Sequence, residues 1–415
     1  MLHDYISIWR HRDLRLMVPA RAVSAFGDDM ALLVLTLRVY ADGRGPWSIT
    51  ILLLCATVPV VVLAPVAGRL VDSLPFRTLA TGAALWQAAC CVVLAFVDPL
   101  WAVYAAVVAL QVGHVVANPA WQALTPEIVE GDELARTIGV SQTLQTVAAV
   151  AAPAAAGLLA GLLGYGAPLL VDAATFLALV AAALAIRTGR SHERQQAAET
   201  PEPAEAFSLR GDALLWPLLL GICALVLVGE VTNVVEVFLL RGTLGAGAVT
   251  FGLVAAALAA GIVVGSVLAG RPADDHARAR RVPVAALALA VTLGLAGLAP
   301  AIWAFAAAWA LLGVSNGYAN VDGTTLLLGR TPDFCRGRVL ATVNAMVRGS
   351  SLVAMVLGGL AGTLLGPRET FVAAGGLMGA VAVAMLIRIT RTLAAADGRS
   401  AAAPSAPPSE AGRPA

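Results

Sequence analysis

The chain has 415 residues, of which 59% are hydrophobic and only 13% are charged, and its mean hydropathy is +0.83. This composition is too apolar for a water-soluble surface and indicates a protein that lies in a lipid bilayer. The formal net charge is +1 and no long basic face interleaved with aromatic residues is present, so nucleic acid is not an expected partner.

Apolar runs long enough to cross a bilayer recur along the whole chain. A hydrocarbon core of roughly 30 Å requires about 20 helical residues, because every backbone amide must be hydrogen-bonded internally where there is no water. Twelve membrane-spanning helices are predicted near residues 16–40, 47–71, 76–97, 100–122, 138–163, 166–187, 213–240, 248–270, 282–299, 301–326, 339–365 and 370–390.

Arginines are distributed unequally between the two sets of loops that these spans imply. One set carries most of them, whereas the opposite set has only Arg44, Arg241 and Arg368, with Arg38 near its edge. Cytoplasmic loops retain positive charge, so both termini are expected in the cytoplasm of a multi-pass protein of the bacterial inner membrane.

Polar segments divide the chain. The expected parts are an N-terminal six-helix bundle at 1–187, a cytoplasmic linker at 188–211 that is rich in Arg, Glu, Gln and Pro, and a C-terminal six-helix bundle at 212–393. The tail at 394–415 is mostly Ala, Pro, Ser and Gly and is expected to be disordered, because this composition cannot bury a core.

An internal repeat relates the two halves. A shift of 202 residues aligns rare polar residues and glycines without a gap between residues 27 and 157. The aligned pairs are Gly27-Asp28 with Gly229-Glu230, Gly68 and Asp72 with Gly270 and Asp274, Asn118 with Asn320, Arg136 with Arg338, Gln142 with Asn344, and Gly157 with Gly359. The predicted fold class is therefore all-α, with twelve transmembrane helices in two six-helix pseudo-symmetric halves.

A charged motif lies between spans two and three. It reads Gly68-Arg69-Leu70-Val71-Asp72 and is followed by Arg77. A glycine allows close helix approach, and an aspartate can accept hydrogen bonds from amides at a helix N-terminus while an arginine holds its carboxylate. An ordinary charged turn is the alternative.

A partial second copy of this motif favours a cytoplasmic gate over a plain turn. Gly270 and Asp274 repeat the pattern in the other half. The gate interpretation places Asp72 against the start of span eleven near Arg338, and Asp274 against the start of span five near Arg136.

On these residues the chain resembles the major facilitator superfamily, whose signature at this loop is a Gly, an Asp four residues later and a following basic residue. It is more closely similar to the twelve-helix drug and proton antiporter branch, which includes macrolide-efflux and enterobactin-export proteins. The features that carry this resemblance are Ser24, Gly27 and Asp28 in span one and the Pro-Ala-Trp-Gln-Ala-Leu-Thr-Pro stretch at 119–126. The resemblance implies a monomeric exporter of small molecules that is coupled to protons and needs no cofactor.

Span five departs from that branch. Its antiporter motif, Gly-Pro-x-x-Gly-Gly, is replaced by Ala-Pro-Ala-Ala-Ala-Gly, from Ala152 through Pro153 to Gly157. Pro153 still kinks the helix and alanine is still small, so a packing role is expected more firmly than antiport.

Ionisable and amide side chains inside the spans are candidates for a substrate or proton pathway, since a charge near the bilayer centre costs about 2.5–3.5 kcal/mol. The candidates are Arg21, Asp28, Asn118, Glu230, Asn233, Asp322 and Arg348. Asp28 and Glu230 are repeat mates and are expected to face one central cavity, either as a functional site or as structural polar groups. Asp172 is interpreted as a cap or a snorkelling side chain, and His114 as a structural histidine.

Three classes of function compete. A proton-driven exporter of an amphipathic or hydrophobic molecule, such as a drug, an antibiotic-like metabolite or a siderophore, leads over an uptake carrier or facilitator and over a membrane sensor that does not transport. A membrane enzyme is not expected, because the sequence has no metal-binding His/Glu cluster, no Gly-x-Ser-x-Gly elbow and no phosphate-binding Gly-Lys-Ser/Thr loop. No metal is expected either, and the five cysteines are interpreted as small core residues.

Overall fold

The computed structural model describes residues 11–129, 131–187, 211–212, 214–270, 274–332 and 335–402. These residues form the helices α1 (Arg12–Ala41), α2 (Pro46–Ser73), α3 (Phe76–Phe96), α4 (Leu100–Ile128), α5 (Gly131–Leu163), α6 (Gly166–Ala185), α7 (Leu215–Val237), α8 (Ala248–Ala269), α9 (Asp275–Leu298), α10 (Ile302–Arg330), α11 (Arg336–Leu364) and α12 (Pro367–Ala402). Helix α7 ends in a π-helical turn at Phe238–Thr243.

The predicted all-α membrane architecture is confirmed. Eleven of the described helices, α2 to α12, are long and apolar enough to cross a bilayer, and α1 is the more highly charged helix that completes the first half. Several helices extend past the predicted spans: α5 begins at Gly131 rather than near residue 138, and α4 continues to Ile128. Hydropathy marks only the part of a helix that lies in lipid, whereas backbone hydrogen bonding continues beyond it.

The ends of the two bundles differ from the prediction or lie outside the described residues. Of the predicted linker at 188–211, only Gly211 is among the described residues. Helix α12 continues to Ala402, past the predicted start of the tail at residue 394, because this stretch is rich in alanine, the strongest helix former.

The two halves have the same internal packing. In the first half α1 packs against α5 and α6, α2 against α4, and α3 against α4 and α6. In the second half α7 packs against α11 and α12, α8 against α10, and α9 against α10 and α12. Each contact in one half therefore recurs six helices later, which is the fold expected of a parallel repeat.

The repeat also holds at the level of single residues. Helices α4 and α10 both have 29 residues, and they begin 202 residues apart. Two turns use glycine at matching places: Gly43 and Gly245 have φ angles of 74° and 71°, and Gly164 and Gly366 have φ angles of 85° and 94°. Positive φ of this size strains any residue with a Cβ atom, so both copies of each turn need glycine.

Two arginines donate hydrogen bonds to carbonyl groups at equivalent helix ends, one in each half. Arg38 donates to the carbonyl oxygen of Leu94 at 2.5 Å and also to that of Val97, at the end of α3. Arg368 donates to the carbonyl oxygen of Ala299 at 3.0 Å, at the end of α9. Val97 and Ala299 are repeat mates, and in both places the guanidinium satisfies carbonyl groups that have no partner within the helix.

The bundle has two distinct ends. We call the end with the short connections 42–45, 97–99, 164–165, 244–247, 299–301 and 365–366 the loop end. The opposite end, which contains the described residues 74–75, 129, 131, 187, 212, 270, 274, 331–332 and 335, is the linker end.

The main contacts between the halves lie toward the loop end. Helix α5 packs against α8, and a Cβ atom on Gly157 would lie 3.0 Å from the Cα atom of Gly252. Helix α11 packs against α2, where the Thr50 hydroxyl donates to the carbonyl oxygen of Met355 at 3.1 Å. Gly359 packs against Thr50, since a Cβ atom added to Gly359 would lie 2.5 Å from the Oγ1 atom of Thr50. These are matching contacts, because Gly157 and Gly359 are repeat mates, as are Gly252 and Thr50.

Aromatic and arginine side chains add to this closure. The rings of Tyr40 in the first half and Phe238 in the second half meet edge to face with their centroids 5.1 Å apart. Arg241 lies over the Tyr40 ring at 5.6 Å and donates to the Tyr165 hydroxyl at 3.3 Å. The loop end is thus closed between the halves.

The linker-end parts of α5 and α11 are open. Arg136 and Gly139 on α5 are exposed, as are Arg338 and Arg348 on α11. A Cβ atom added to Gly139 would meet no atom within 4 Å. The cleft between the halves therefore opens at the linker end.

Candidate functional site

A small polar cavity of about 60 Å³ lies inside the N-terminal half. It is lined by Arg21, Ser24, Ala25, Asp28, Gln87, His114, Ala117, Asn118, Trp121, Gln145, Phe176 and Leu179. Three of the residues predicted from the sequence as pathway candidates, Arg21, Asp28 and Asn118, come together in this cavity from α1 and α4. Seven residues separate Arg21 from Asp28, which is about two helical turns and places both on one face of α1.

His114 connects two other polar groups of this cavity. Its Nε2 atom lies 3.4 Å from Oδ2 of Asp28, and its Nδ1 atom lies 2.9 Å from Nε2 of Gln87. With the Gln87 amide donating to Nδ1, the neutral imidazole carries its proton on Nε2 and donates it toward Asp28. His114 is thus a hydrogen-bonded histidine, as expected, but its partner is the carboxylate that the sequence singled out.

Asp172 of α6 lies behind this cavity and is fully buried. It accepts from the Cys91 thiol at 3.2 Å and from the Thr175 hydroxyl at 3.1 Å. Its carboxylate packs against Gly27 of α1, where any side chain would collide with it. The interpretation of Asp172 as a cap or snorkelling residue is wrong, because the missing side chain at Gly27 lets the carboxylate point into the bundle.

Two buried polar atoms on the wall of the small cavity have no hydrogen-bond partner among the described residues. They are the amide oxygen of Gln87 and the indole nitrogen of Trp121. A buried acceptor and a buried donor of this kind need a partner, and a water molecule takes about 30 Å³ of liquid volume. The cavity therefore has the size and the polarity to hold water.

A larger cavity of about 420 Å³ lies inside the C-terminal half. Its walls are mostly leucine, isoleucine, valine and alanine side chains from α7 to α11. The polar residues among them include Glu230, Asn233, Asn316, Asn320 and Asn344. Glu230 accepts from the side chain of Asn233 at 3.0 Å, so two more predicted candidates lie together. An apolar pocket of this size with a few convergent polar groups is the usual form of a small-molecule site.

The two cavities are related by the repeat. Of the twelve residues that line the small cavity, nine have their mate, 202 residues later, in the wall of the large one. The pairs are Ser24 and Val226, Asp28 and Glu230, Gln87 and Leu289, His114 and Asn316, Ala117 and Ala319, Asn118 and Asn320, Trp121 and Gly323, Gln145 and Val347, and Phe176 and Met378. Asp28 and Glu230 thus line equivalent cavities, one in each half, rather than a single shared one.

Side-chain size explains the difference in volume between these cavities. Trp121 fills the position that Gly323 leaves open, and an added Cβ at Gly323 would meet only Ile222, at 3.8 Å. Leu289 replaces Gln87 in the large cavity, so the copy in the C-terminal half is both wider and more apolar.

Asp322 and Arg348 are in neither cavity wall. Asp322 is fully buried and lies 3.4 Å from Nη1 of Arg278, which joins α10 to α9. Arg281 also faces this carboxylate. Arg348 is exposed on α11 toward the cleft.

The predicted gate residues lie at the linker end, and two of them have partners within their own half. Arg77 donates to the carbonyl oxygen of Ile186 at 2.7 Å, at the end of α6. Asp274 accepts from the amide of Ala277 at 2.9 Å and so caps α9, its own helix. The side chain of Asp72 lies outside the described residues, and a Cβ atom on Gly68 would meet nothing within 4 Å.

Other gate and motif residues occupy distinct places. Arg136 and Arg338 are exposed at the linker ends of α5 and α11, and Gly270 ends α8. Pro153, by contrast, lies at the interface of the halves, where its carbonyl oxygen closely approaches Gly252.

Several site residues were missed by reasoning from the sequence. Gln87 is a lone amide within the apolar span α3, a signal that marks an expensive buried group. Asn316 is the mate of His114, and Asn320 the mate of the candidate Asn118, so the repeat itself pointed to both. Cys91 gave no signal beyond that of a small core residue.

Comparison with known proteins agrees with this architecture. The family model of the Major Facilitator Superfamily matches residues 17–240 and again 231–412. The chain belongs to this superfamily. Family membership confirms the predicted resemblance and accounts for the two equivalent halves.

Sequence relatives come from the efflux branch of the superfamily. The chain is 23% identical over 339 residues to macrolide efflux protein A of Streptococcus pyogenes, a match that covers 78% of this chain and 83% of the relative. It is 24% identical over 300 residues to macrolide efflux protein A of Enterococcus faecalis, covering 70% and 93%.

A solved structure with the same fold is that of a bacterial homologue of the human lysosomal transporter Spinster, in an inward-facing and unoccupied conformation. Its TM-score is 0.71 at 15% identity, and the match covers 93% of this chain and 98% of that one. At this identity the likeness concerns the fold alone.

Proposed function

We propose that the protein is a proton-driven exporter of a hydrophobic or amphipathic small molecule. The observation that carries the proposal is the cavity of about 420 Å³ in the C-terminal half, which has apolar walls and one carboxylate, Glu230. The matched relatives are named as macrolide efflux proteins, and a shorter match of 29% identity over 133 residues is to a multi-drug resistance efflux pump homologue of Lactococcus lactis. Both names support export.

The proposed orientation places the linker end in the cytoplasm of a bacterial cell. Arginines concentrate at that end, and basic residues are retained on the cytoplasmic side of the inner membrane. With this orientation both termini are cytoplasmic, and the described conformation is open to the cytoplasm and closed to the outside. It would therefore be the state that takes up cargo before export.

The cargo chemistry follows from the walls of the large cavity. Leucine, isoleucine and valine side chains favour an apolar body, because its burial removes apolar surface from water. Glu230 and the nearby asparagines offer a charge and amide groups to a polar substituent of the cargo. A drug, an antibiotic-like metabolite or a siderophore has this combination of an apolar frame and a few polar groups.

The proposed cycle is alternating access. The two halves rock about the cavities, and protonation of a carboxylate, Asp28 or Glu230, alternates with cargo binding. Contacts at the loop end break as the cleft at the linker end closes. In that closed state we propose that the gate residues meet: Asp72 at the start of α11 near Arg338, and Asp274 at the start of α5 near Arg136.

Flux in proteoliposomes tests the proposal. Wild-type protein should move a labelled macrolide such as erythromycin, or a fluorescent dye such as ethidium, uphill when a pH gradient is imposed. Asp28→Asn should abolish uphill transport and leave downhill exchange at equal pH. Asp98→Asn is the matched control, because the Asp98 side chain is fully exposed at the loop end.

Three outcomes would contradict parts of the proposal. Transport that ignores the pH gradient would indicate a facilitator or an uptake carrier. Binding without turnover would indicate a sensor. Unchanged uphill export by both Asp28→Asn and Glu230→Gln would leave these carboxylates as structural groups.

A further inference from the structure

We propose that the two repeat-related cavities have separate tasks: the small polar cavity of the N-terminal half, with Asp172 behind it, holds the proton, and the large cavity of the C-terminal half holds the cargo. This inference rests on the proposed function and divides its two ligands between the halves. It is carried by the shared positions of the two walls, which make the cavities comparable residue by residue.

The two cavities differ in volume, and only one of them can hold a drug-sized molecule. The N-terminal cavity, at about 60 Å³, is too small for a drug-sized molecule, which needs roughly 300–1,000 Å³. The C-terminal cavity, at about 420 Å³, lies within that range. Trp121 closes the first cavity at the position where Gly323 opens the second, so one pair of mates accounts for much of the difference.

The charged side chains of the N-terminal half favour a proton site there. Arg21 lines the small cavity together with Asp28, so its wall carries one positive charge besides that carboxylate. Asp172 then remains with neutral donors, because its carboxylate accepts from the Cys91 thiol and the Thr175 hydroxyl. Asp172 is close enough to Asp28 for their charges to interact. Two neighbouring carboxylates, of which Asp172 is fully buried and Asp28 partly buried, repel each other when both are ionised, and sharing one proton removes this repulsion.

The titratable groups around this carboxylate pair, besides Arg21, come from α1, α3 and α4. On α1, Asp29 is exposed and lies next to Asp28 in sequence. On α3 the neighbouring groups are the thiols of Cys90 and Cys91, and on α4 the group is the imidazole of His114. His114 stands beside Asp28 at the cavity and also interacts with Asp172. It is therefore placed between the buried carboxylate and the cavity that water can enter.

The C-terminal copy lacks these features. Its positions equivalent to Arg21, His114 and Gln87 are Cys223, Asn316 and Leu289. The position equivalent to Asp172 is Ala374. Glu230 is thus left beside the amide of Asn233 in an apolar cavity, where a polar or basic group of the cargo can meet it.

Infrared difference spectroscopy of the purified protein during a change of pH tests the proton site without any cargo. A carbonyl band of a protonated carboxyl group should appear, should be lost in Asp172→Asn or Asp28→Asn, and should persist in Glu230→Gln. Cys91→Ala should shift the band rather than remove it, because it deletes a hydrogen bond to Asp172 and keeps the carboxylate. This variant also covers the case in which Asp172→Asn does not fold. A band that is lost only in Glu230→Gln would overturn the proposal.

Binding of tetraphenylphosphonium, an apolar cation, to the detergent-solubilised protein tests the cargo site without transport. Gly323→Trp copies the N-terminal wall into the C-terminal cavity and should weaken binding by at least about tenfold. It should leave the infrared band unchanged. Gly376→Trp is the matched control, because Gly376 is exposed and a Cβ atom there meets nothing within 4 Å. Undiminished binding by Gly323→Trp, or no binding by the wild type, would overturn the assignment of the cargo cavity.

These two measurements separate the inference from the proposed function. Neither depends on the direction of transport or on an imposed gradient. If export failed in proteoliposomes while the band and the binding behaved as described, the division of tasks would stand and the exporter assignment would fall.

Discussion

The Thr50 hydroxyl donates a hydrogen bond to the carbonyl oxygen of Met355 across the interface of the halves, at 3.1 Å. Their repeat mates, Gly252 and Pro153, meet at the equivalent place in a close backbone approach, with the Pro153 carbonyl oxygen lying against Gly252. Both contacts lie toward the loop end. The halves therefore meet at two equivalent positions toward the loop end, which predicts that a change at either position affects the opening.

Gly252→Leu should open the loop end. A side chain at this position would collide with the backbone of Pro153 and Gly157. Overpacking of this kind costs about 1–3 kcal/mol, which shifts a two-state ratio by about 5- to 150-fold. Hydrogen exchange read by mass spectrometry should become faster in peptides that span 42–50 and slower in peptides that span 338–344.

Gly376→Leu is the control for this measurement, because it adds the same side chain on an exposed face of α12. Equal exchange patterns in Gly252→Leu and the wild type would show that the interface does not set the conformation.

Removing Asp322 should destabilise the C-terminal half. This carboxylate is fully buried and lies 3.4 Å from Nη1 of Arg278, whose side chain is 15% exposed, so its removal deletes an ion pair that joins α10 to α9. We expect Asp322→Ala to lower the free energy of unfolding by about 1.5–3 kcal/mol, the usual size of a hydrogen bond to a charged group. Thermal unfolding of the purified protein measures the loss.

The repeat suggests a double variant that should restore this stability, because the first half has apolar residues at the two equivalent positions. The mates of Arg278 and Asp322 are Phe76 and Ala120, and Phe76 packs against Trp121 with ring centroids 5.0 Å apart. The double variant Arg278→Phe with Asp322→Ala should recover most of the lost stability. A double variant no better than Asp322→Ala would mean that the ion pair does not work as a unit.

Asp212 should stabilise the start of α7 in a pH-dependent way. Partial burial alone would raise its pKa, but the amides of Leu214 and Leu215, both at 2.8 Å, and the guanidinium of Arg330 outweigh burial and hold the pKa below its usual value. A carboxylate with a lowered folded-state pKa contributes stability above its unfolded pKa of about 4, and loses it as the pH falls through the folded value.

Asp212→Asn should therefore lower the unfolding temperature at pH 7 and make the fall in stability below about pH 4 shallower. Thermal unfolding at a series of pH values checks both effects, with Asp98→Asn as an exposed control. If the unfolding temperature of Asp212→Asn fell with pH as in the wild type, the titration of Asp212 would not contribute to stability.

Asp72→Ala should slow transport in every mode, because the proposed gate must close in each cycle. Uphill export and downhill exchange should both fall, whereas Asp28→Asn should affect the uphill mode alone. Surface expression should stay unchanged. A selective loss of only the uphill mode in Asp72→Ala would argue that this residue serves coupling instead of gating.

Labelling from outside intact cells tests the orientation. A cysteine introduced by Gln195→Cys, in the linker outside the described residues, should stay unlabelled by a membrane-impermeant maleimide. A cysteine introduced by Asp98→Cys at the loop end should react, and it serves as the positive control. Labelling at position 195 without labelling at position 98 would show that the orientation is the opposite of the proposed one.

The sequence by itself determined the membrane fold and the repeat. Hydropathy located the twelve helices because the bilayer forces each backbone to satisfy its own hydrogen bonds. The offset of 202 residues is visible because polar groups are rare in these spans, and it correctly paired Gly157 with Gly359 and Asp28 with Glu230. Helix ends were less accurate, as at Gly131, because water-exposed helix turns carry no hydropathy signal.

Only the tertiary structure decided what these paired residues contact. Gly27 and Asp172 are distant in sequence, and the burial of Asp172 depends on how α6 packs onto α1, which no local pattern reports. The same holds for the two cavities: Trp121 and Gly323 are visible as mates, but whether a position faces a cavity, a partner helix or lipid depends on the rotation of each helix in the bundle. That rotation is set by packing between helices far apart in the chain.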